Sequence, residues 1–236
     1  GQLNVDVAAD ADAPTLDLSN ASGAEDSAIS LDISSALTDT DGSENLSITI
    51  SNIPDGAVLT DGAGNPVTIT DGSAELTTAQ LEGLTITPPA DFAGTFDLAV
   101  TATSTEADGG DTAQSSGSIT VNVDAVADTP NMTVADAAGI EDSAIPLNIT
   151  AASTDVDGSE SVSVTISNIP DGAVLTDGAG NAITITDGSA ELTTAQLEGL
   201  TITPPANSDG DFTLDVAVTT TDGTDTSTVN GQLNVD

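Results

Sequence analysis

Apolar residues in this chain recur at every second position, in short runs. Ile29, Leu31 and Ile33 form one stripe, and Leu46, Ile48 and Ile50 another. Val67 and Ile69, then Leu84 and Ile86, then Phe96, Leu98 and Val100, then Ile119, Val121 and Val123 continue the pattern. The positions between them are mostly Thr, Ser and Asp. Period two over such short runs predicts strands with one face in a core and the other in water. Leu16 and Leu18 predict a first strand ahead of them. Asp55-Gly56, Asp61-Gly62 and Asp71-Gly72 punctuate the middle of the pattern and read as tight turns rather than ligands. Thr77–Gly83 is the one segment with helical character, two turns at most. About seven short strands in roughly 110 residues predict an antiparallel Greek-key β-sandwich.

The pattern occurs twice. Residues 51–90 recur at 167–206, differing only where Pro66 and Val67 become Ala182 and Ile183. The same offset of 116 relates Glu25-Asp26 to Glu141-Asp142 and Phe96 to Phe212. It also relates Asp39-Thr-Asp41-Gly-Ser-Glu44 to Asp155-Val-Asp157-Gly-Ser-Glu160. Matching the ends of the copies makes the second shorter by four residues past Thr221, which predicts a surface loop there. A period above 100 residues is too long for a solenoid repeat, so each copy is expected to be a domain with its own core. The first six residues, GQLNVD, equal the last six, Gly231–Asp236, as expected for a piece of a longer tandem array. The expected organisation is all-β. Residues 1–12 form the last strand and linker of a preceding repeat, and 13–124 a first sandwich. Residues 125–129 are an acidic linker, and 130–236 a second sandwich.

Composition changes this picture by exclusion. The 236 residues include 39 Asp and Glu and no Lys, Arg or His, a formal net charge of −39. No ion pair between side chains can form, so nothing in the chain offsets its own repulsion. Phosphate recognition needs Lys or Arg, which excludes nucleic acid as a partner. Anionic membrane surfaces are excluded for the same reason, and no run of 18 apolar residues offers direct membrane insertion. Without Cys there are no disulfides or thiolate metal sites. Neither His, Lys, Cys nor Tyr is present as base or nucleophile. A carboxylate pair could still hydrolyse a glycoside. Sugar clefts usually stack rings on aromatics, however, and the chain has only Phe92, Phe96 and Phe212. It therefore reads as no enzyme. Leu, Ile, Val and Phe total 54 residues, about 23%, close to the ~20% below which highly charged chains stay unfolded. Folding then depends on what neutralises the charge.

A seven-strand order assigns the acids to the ends of the sandwich. With the first strand running down, Glu25, Asp26 and Asp91 fall at the lower end. Asp39, Asp41 and Glu44 fall at the upper end, with the loop that carries Glu106, Asp108 and Asp111. Asp108 and Asp111 read as solvated loop. The lower end of copy one, the linker acids Asp124 and Asp128, and the upper-end Asp155, Asp157 and Glu160 of copy two should converge. Asp6, Asp10 and Asp12 ahead of the first copy, and Glu141 and Asp142 in the second, complete the candidate ligand set. Two unit charges ~4 Å apart repel by about 4 kcal/mol at an effective dielectric near 20. Hard oxygen donors in this number suit Ca²⁺, which takes ~6–8 oxygens, better than Mg²⁺, which keeps its water. The competing reading is a halophile-like solubility surface, for which acid would be scattered rather than gathered at domain ends.

The combination resembles a known family. The segments Glu25-Asp-Ser-Ala-Ile29, Asp39-x-Asp41-Gly-Ser-Glu44, Leu84-Thr-Ile-Thr-Pro-Pro-Ala90 and Val123-Asp-Ala-Val-Ala-Asp-Thr-Pro130 carry the resemblance. They look like the cadherin-like, immunoglobulin-fold extender repeats of giant bacterial biofilm-associated surface adhesins of the repeats-in-toxin type. The resemblance covers nearly the whole chain. It implies a secreted, cell-surface, monomeric rod segment whose neighbouring repeats are stiffened by calcium ions at their junctions. Glu25 and Asp26 would be lower-end ligands, Asp124 and Asp128 linker ligands, and Asp155 and Asp157 upper-end ligands. The linker lacks the Asn-Asp-Asn run of cadherins, and the Gly-Gly-x-Gly-x-Asp nonapeptide is absent. Such repeats act as spacers that project a distal binding module. A calcium-dependent glycan- or ice-binding module is the alternative.

Overall fold

The alternating stripes become strands by pairing, and the pairing needs more segments than the stripes suggest. The structure, a computed structural model, describes residues 2–3 and 10–236. It contains two units, Gly1–Ala125 and Val126–Asp236. The first holds β1 (Thr15–Leu18), β2 (Ala21–Ala24), β3 (Ile29–Ser30), β4 (Ile33–Ala36) and β5 (Glu44–Ser51). It continues with β6 (Val58–Thr60), β7 (Ala74–Leu76), β8 (Thr85–Thr87), β9 (Gly94–Glu106) and β10 (Thr112–Asp124). One layer has the order β2-β10-β9-β5-β7, and the other combines β3-β8-β6 with the pair β1-β4. All pairs are antiparallel except β2 with β10. β5 and β9 are neighbours although three strands separate them in sequence, which makes the connection Greek-key.

The core lies between the layers. Ile48, Ile50, Leu98, Val100, Ile119 and Val121 meet Leu59, Leu84 and Ile86, all fully buried. Each contributes about 1.5–3 kcal/mol relative to exposure. The stripe at residues 29–33 is divided between two strands, β3 and β4, because Leu31 donates its N–H to the Leu84 carbonyl (2.9 Å) while the chain changes partner. The first strand is divided likewise: β1 pairs with β4 and β2 with β10.

Val67 and Ile69 depart from expectation. Both side chains join the core, but their backbone forms no strand. β6 belongs to one layer and β7 to the other, so residues 67–73 are spent crossing between them. Pro66 is not the cause, since Ala182 takes its place in the second copy and the same isolated bridge recurs. The Ala74–Leu76 strand was not visible as a stripe. The helical segment is one turn, α1 (Thr78–Leu81).

The Asp-Gly turns are built as their sequence suggests. Asp71 and Gly72 have φ of 50° and 70°, and Thr70 and Ser73 exchange both backbone hydrogen bonds across them. That is the two-residue primed hairpin, whose left-handed positions favour Asp or Asn followed by Gly. Asp61 closes its loop differently: Oδ1 accepts the N–H groups of Ala63 (3.0 Å) and Asn65 (2.8 Å). Gly62 lets this loop lie on its neighbour, since a Cβ there would stand 2.3 Å from the Glu82 carbonyl oxygen.

The second unit repeats the design with β11 (Asn131–Ala135), β12 (Ile145–Pro146), β13 (Asn148–Ala152), β14 (Ser161–Ser167) and β15 (Val174–Thr176). It closes with β16 (Ala190–Thr193), β17 (Thr201–Thr203), β18 (Phe212–Asp222) and β19 (Asp225–Val235). One layer is β16-β14-β18-β19, and the other combines β12-β17-β15 with β11-β13. The counterpart of β2 shrinks to a single parallel bridge, Ala137 to Val235. Residues 107–110 lie between Glu106 and its partner Asp111, but only 223–224 between Asp222 and Asp225. The second loop is therefore shorter by two residues, not four. The repeated Asn-Val-Asp misleads, because Val235 stands opposite Phe212 where Val121 stands opposite Phe96. Among the described residues no helix is long and apolar enough to cross a membrane.

Two outcomes follow from this packing. Leu98→Ala or Leu214→Ala, at equivalent fully buried sites, should each cost about 2–5 kcal/mol, measured by calorimetry or circular dichroism. The second concerns acid. The Asn65 backbone N–H, then its side chain, hold the Asp61 carboxyl below its ordinary 3.8. A folded-state value below the unfolded one stabilises above the unfolded value and is lost as pH falls through the folded one. The stability gap between wild type and Asp61→Ala should therefore be present at pH 7 and close below about pH 4. A gap of constant size across that range would count against this role.

Candidate functional site

The inward rows of the large layer run on past the hydrophobic core and end in acid. On β5 the row reads Ile50, Ile48, Leu46, Glu44, and on β9 it reads Val100, Ala102, Ser104, Glu106. The register sets Ile48 opposite Ala102, Leu46 opposite Ser104 and Glu44 opposite Glu106. Directly opposed residues have Cβ atoms about 4.5–5.5 Å apart, and like charges there repel. Glu44 is 7% exposed and Glu106 5%, in a chain with no cationic side chain. Glu44 Oε1 accepts the Asp12 N–H (2.7 Å), and Glu106 Oε1 accepts a long bond from the Ser43 hydroxyl (3.5 Å). The Oε2 atoms of both are buried and accept no hydrogen bond among the described residues.

The second unit has the same end with different partners. Ser161 stands opposite Thr221, so the continued register brings Glu160 against Asp222, which is buried. Glu160 Oε1 accepts the Asp128 N–H (2.5 Å), and its Oε2 accepts the Ser153 hydroxyl. Leu37 occupies that serine's position in the first copy and has no hydroxyl to offer.

Both ends hold the segment that leads into their own sandwich. Ser104 donates its hydroxyl to the Asp12 carbonyl (2.6 Å), and Thr220 does the same to the Asp128 carbonyl. Asp111 Oδ2 accepts the Ala11 N–H (3.2 Å), and Asp225 Oδ2 accepts the Ala127 N–H (3.0 Å). Asp111 is thus not merely solvated loop, as its position in sequence suggested: it fastens the incoming chain. The Asp128 backbone is likewise docked on the second unit's end, while its Oδ2 accepts from the Thr154 hydroxyl (3.3 Å).

The loops carrying the Asp-x-Asp motif close on themselves. Asp39 Oδ1 accepts the Asp41 N–H (2.9 Å), and Asp41 Oδ1 the Ser43 N–H (2.7 Å). In the second copy Asp155 accepts from the N–H groups of Asp157 (2.7 Å), Gly158 (3.1 Å) and Glu160 (3.0 Å). Asp157 accepts from Ser159 (2.7 Å). Ser43, through its hydroxyl first and then its N–H, holds the Asp41 carboxyl below its ordinary value. The Glu160 N–H does the most to lower that of Asp155.

The other end of the first sandwich gathers Glu25, Asp26, Asp91 and Asp124. Glu25 is buried, and its N–H donates to the Asp124 carbonyl (3.0 Å). Asp26 Oδ1 accepts the Asp91 N–H (3.1 Å), and the Asp124 carboxylate accepts from the Asn122 amide (3.1 Å). In the second unit Asn207 replaces Asp91 and donates to Asp142 (3.0 Å), while Glu141 and Asp142 are exposed. Asp10 is exposed, and Asp6 lies outside the described residues.

The donors at these ends are hard oxygens, and the buried Oε2 atoms of Glu44 and Glu106 accept no hydrogen bond among the described residues. That chemistry fits calcium. Among the described residues no three carboxylates are already gathered into a metal-holding group. The ends offer pairs, which an ion would supplement with carbonyl oxygens or water. Sequence reasoning missed Glu106 and Asp222 as members. The signal was present: both continue the inward parity of a strand whose apolar members were recognised.

No family model matches the chain, and no curated protein sequence matches it. Solved structures do. Drosophila N-cadherin EC1-4 aligns over 95% of this chain at 15% identity with a TM-score of 0.42, and the chain spans 49% of that structure's length. Chicken VE-cadherin EC1-2 aligns over 92% of this chain and 96% of its own, at 10% identity and a TM-score of 0.30. Murine CEACAM1b aligns over 94% and 100%, at 12% identity and 0.31. At these scores nothing of those proteins is carried over.

Proposed function

We propose that the chain is a pair of extracellular spacer domains from a large bacterial surface adhesin, stiffened by calcium and projecting a distal binding module in adhesion or biofilm formation. The observation behind this reading is the burial of opposed carboxylates at the end of a sandwich in a chain without one basic side chain. A spacer needs stability and stiffness, and no pocket chemistry. An ion that binds the folded state alone stabilises it by RT ln(1 + [Ca²⁺]/Kd), about 2.7 kcal/mol per site at 100-fold excess. Extracellular modules typically bind at ~10⁻⁴–10⁻³ M. Millimolar calcium outside the cell would fill such sites and the cytosol would not, so folding would follow secretion. The ions are proposed to be shared where repeats adjoin, with Asp124 and Asp128 contributing.

A glycan-binding reading has less behind it. The groove beside β13, lined by Ile149, Leu197 and Leu200 among others, carries Glu198 as its one acid and no aromatic ring.

Thermal unfolding and small-angle scattering, each with 5 mM-order calcium and with chelator, test the proposal. Calcium should raise the melting temperature and give a more extended, less variable two-domain shape. Sodium chloride at equal ionic strength should do neither fully, because it screens charge without coordinating it. Equal stabilisation by sodium would mean a general solubility surface instead. Asp124→Ala with Asp128→Ala should remove the effect of calcium on shape while leaving each sandwich folded.

A further inference from the structure

The Glu44–Glu106 pair is stranded in a way that its counterpart is not. Both side chains are more than nine-tenths buried and point inward from directly opposed strand positions. Each keeps one oxygen out of reach of any donor among the described residues. Burying a carboxylate without compensation costs several kcal/mol, and two side by side add their repulsion. In the second copy the Ser153 hydroxyl satisfies the matching oxygen of Glu160, and Asp222 is one methylene shorter than Glu106. The substitution of Leu37 for a serine leaves the first copy without that donor, although the surrounding motif is kept.

We infer that Glu44 and Glu106 form a divalent-cation site built into the first unit, and that the second unit's pair is less dependent on an ion because Ser153 replaces part of its role. The inference rests on the calcium reading above for the identity of the ion. Glu44 and Glu106 supply the carboxylate oxygens. The backbone of Asp12, held by Glu44 and Ser104, brings a further acid to the same end. An ion bound there would fasten the segment entering the first sandwich as well as cancel the pair's repulsion.

Calorimetric titration of the full chain with calcium chloride tests this, with melting temperatures recorded in calcium and in chelator. Glu44→Gln/Glu106→Gln preserves shape and removes the charge. The expected result is about one fewer ion bound per chain and a smaller rise in melting temperature with calcium. In chelator the variant should melt no lower than wild type, since it has lost a buried like-charge pair. Should the double variant not fold, Glu106→Gln is read in the same way, because it leaves the Asp12–Glu44 bond in place. Leu37→Ser should weaken the site about 2- to 10-fold, the range of one net hydrogen bond. If wild type binds calcium and the glutamine variant binds the same number of ions with the same affinity, the inference fails while the spacer reading stands. If wild type takes up no calcium, both fail.

Discussion

Everything in this protein is arranged under one electrostatic constraint: carboxylates must be satisfied without a basic side chain. A chain of mixed charge can cancel a buried acid with a nearby lysine or arginine. Here the available means are backbone N–H groups, hydroxyls, amides and ions from outside. The structure uses the first three widely. Asp39, Asp41, Asp61, Asp155, Asp157 and Asp177 all accept from backbone N–H groups of their own loops. Such bonds rigidify the turns at no cost in core volume. These donors run out at Glu44 and Glu106, whose Oε2 atoms are buried and accept no hydrogen bond among the described residues.

The same constraint explains how a sandwich with few large apolar residues holds its first strand. The segments at 11–12 and 127–128 are each an Ala-Asp pair that joins neither hydrophobic cluster. They are fixed instead by backbone hydrogen bonds to acids and hydroxyls at the sandwich end: Glu44, Ser104 and Asp111 in one unit, Glu160, Thr220 and Asp225 in the other. Carboxylates that repel one another are thereby put to structural use, with one oxygen each of Glu44, Asp111, Glu160 and Asp225 holding an entering segment. Acids at the ends also leave the layers free to pack Leu, Ile and Val without polar interruption.

The copies are nearly identical over one block and diverge outside it. A forty-residue block is almost unchanged, so the packing of β6 through β8 on the core is repeated with little alteration. Outside it the copies differ along the strands, as at Leu16 against Met132 and Ile48 against Val164, and also at the ends: Leu37 against Ser153, Glu106 against Asp222, Asp91 against Asn207, and a loop two residues shorter. The differences at the ends fall among the acids and their hydrogen-bond partners. Duplication kept the scaffold and altered how each end meets its electrostatic need.

Much of this was legible in the sequence. The period-two stripes specified the strands that lie in the core, the Asp-Gly pairs specified turns, and the offset of 116 specified two units, because each signal is local in the chain. The end to which each acidic loop belongs also followed from strand order alone. Other features depended on partners distant in sequence. Val67 and Ile69 alternate like a strand but serve as a crossing between layers, which pairing alone decides. Glu106 and Asp222 lie in phase with the core, yet their significance appears only when β5 and β14 bring a second acid opposite. Asp111 became a fastening point once Ala11 was folded against it, 100 residues away. Sequence sets which face a side chain occupies, since strand geometry alternates strictly; tertiary pairing sets what stands across from it, and for a carboxylate in a chain without cations that neighbour decides everything.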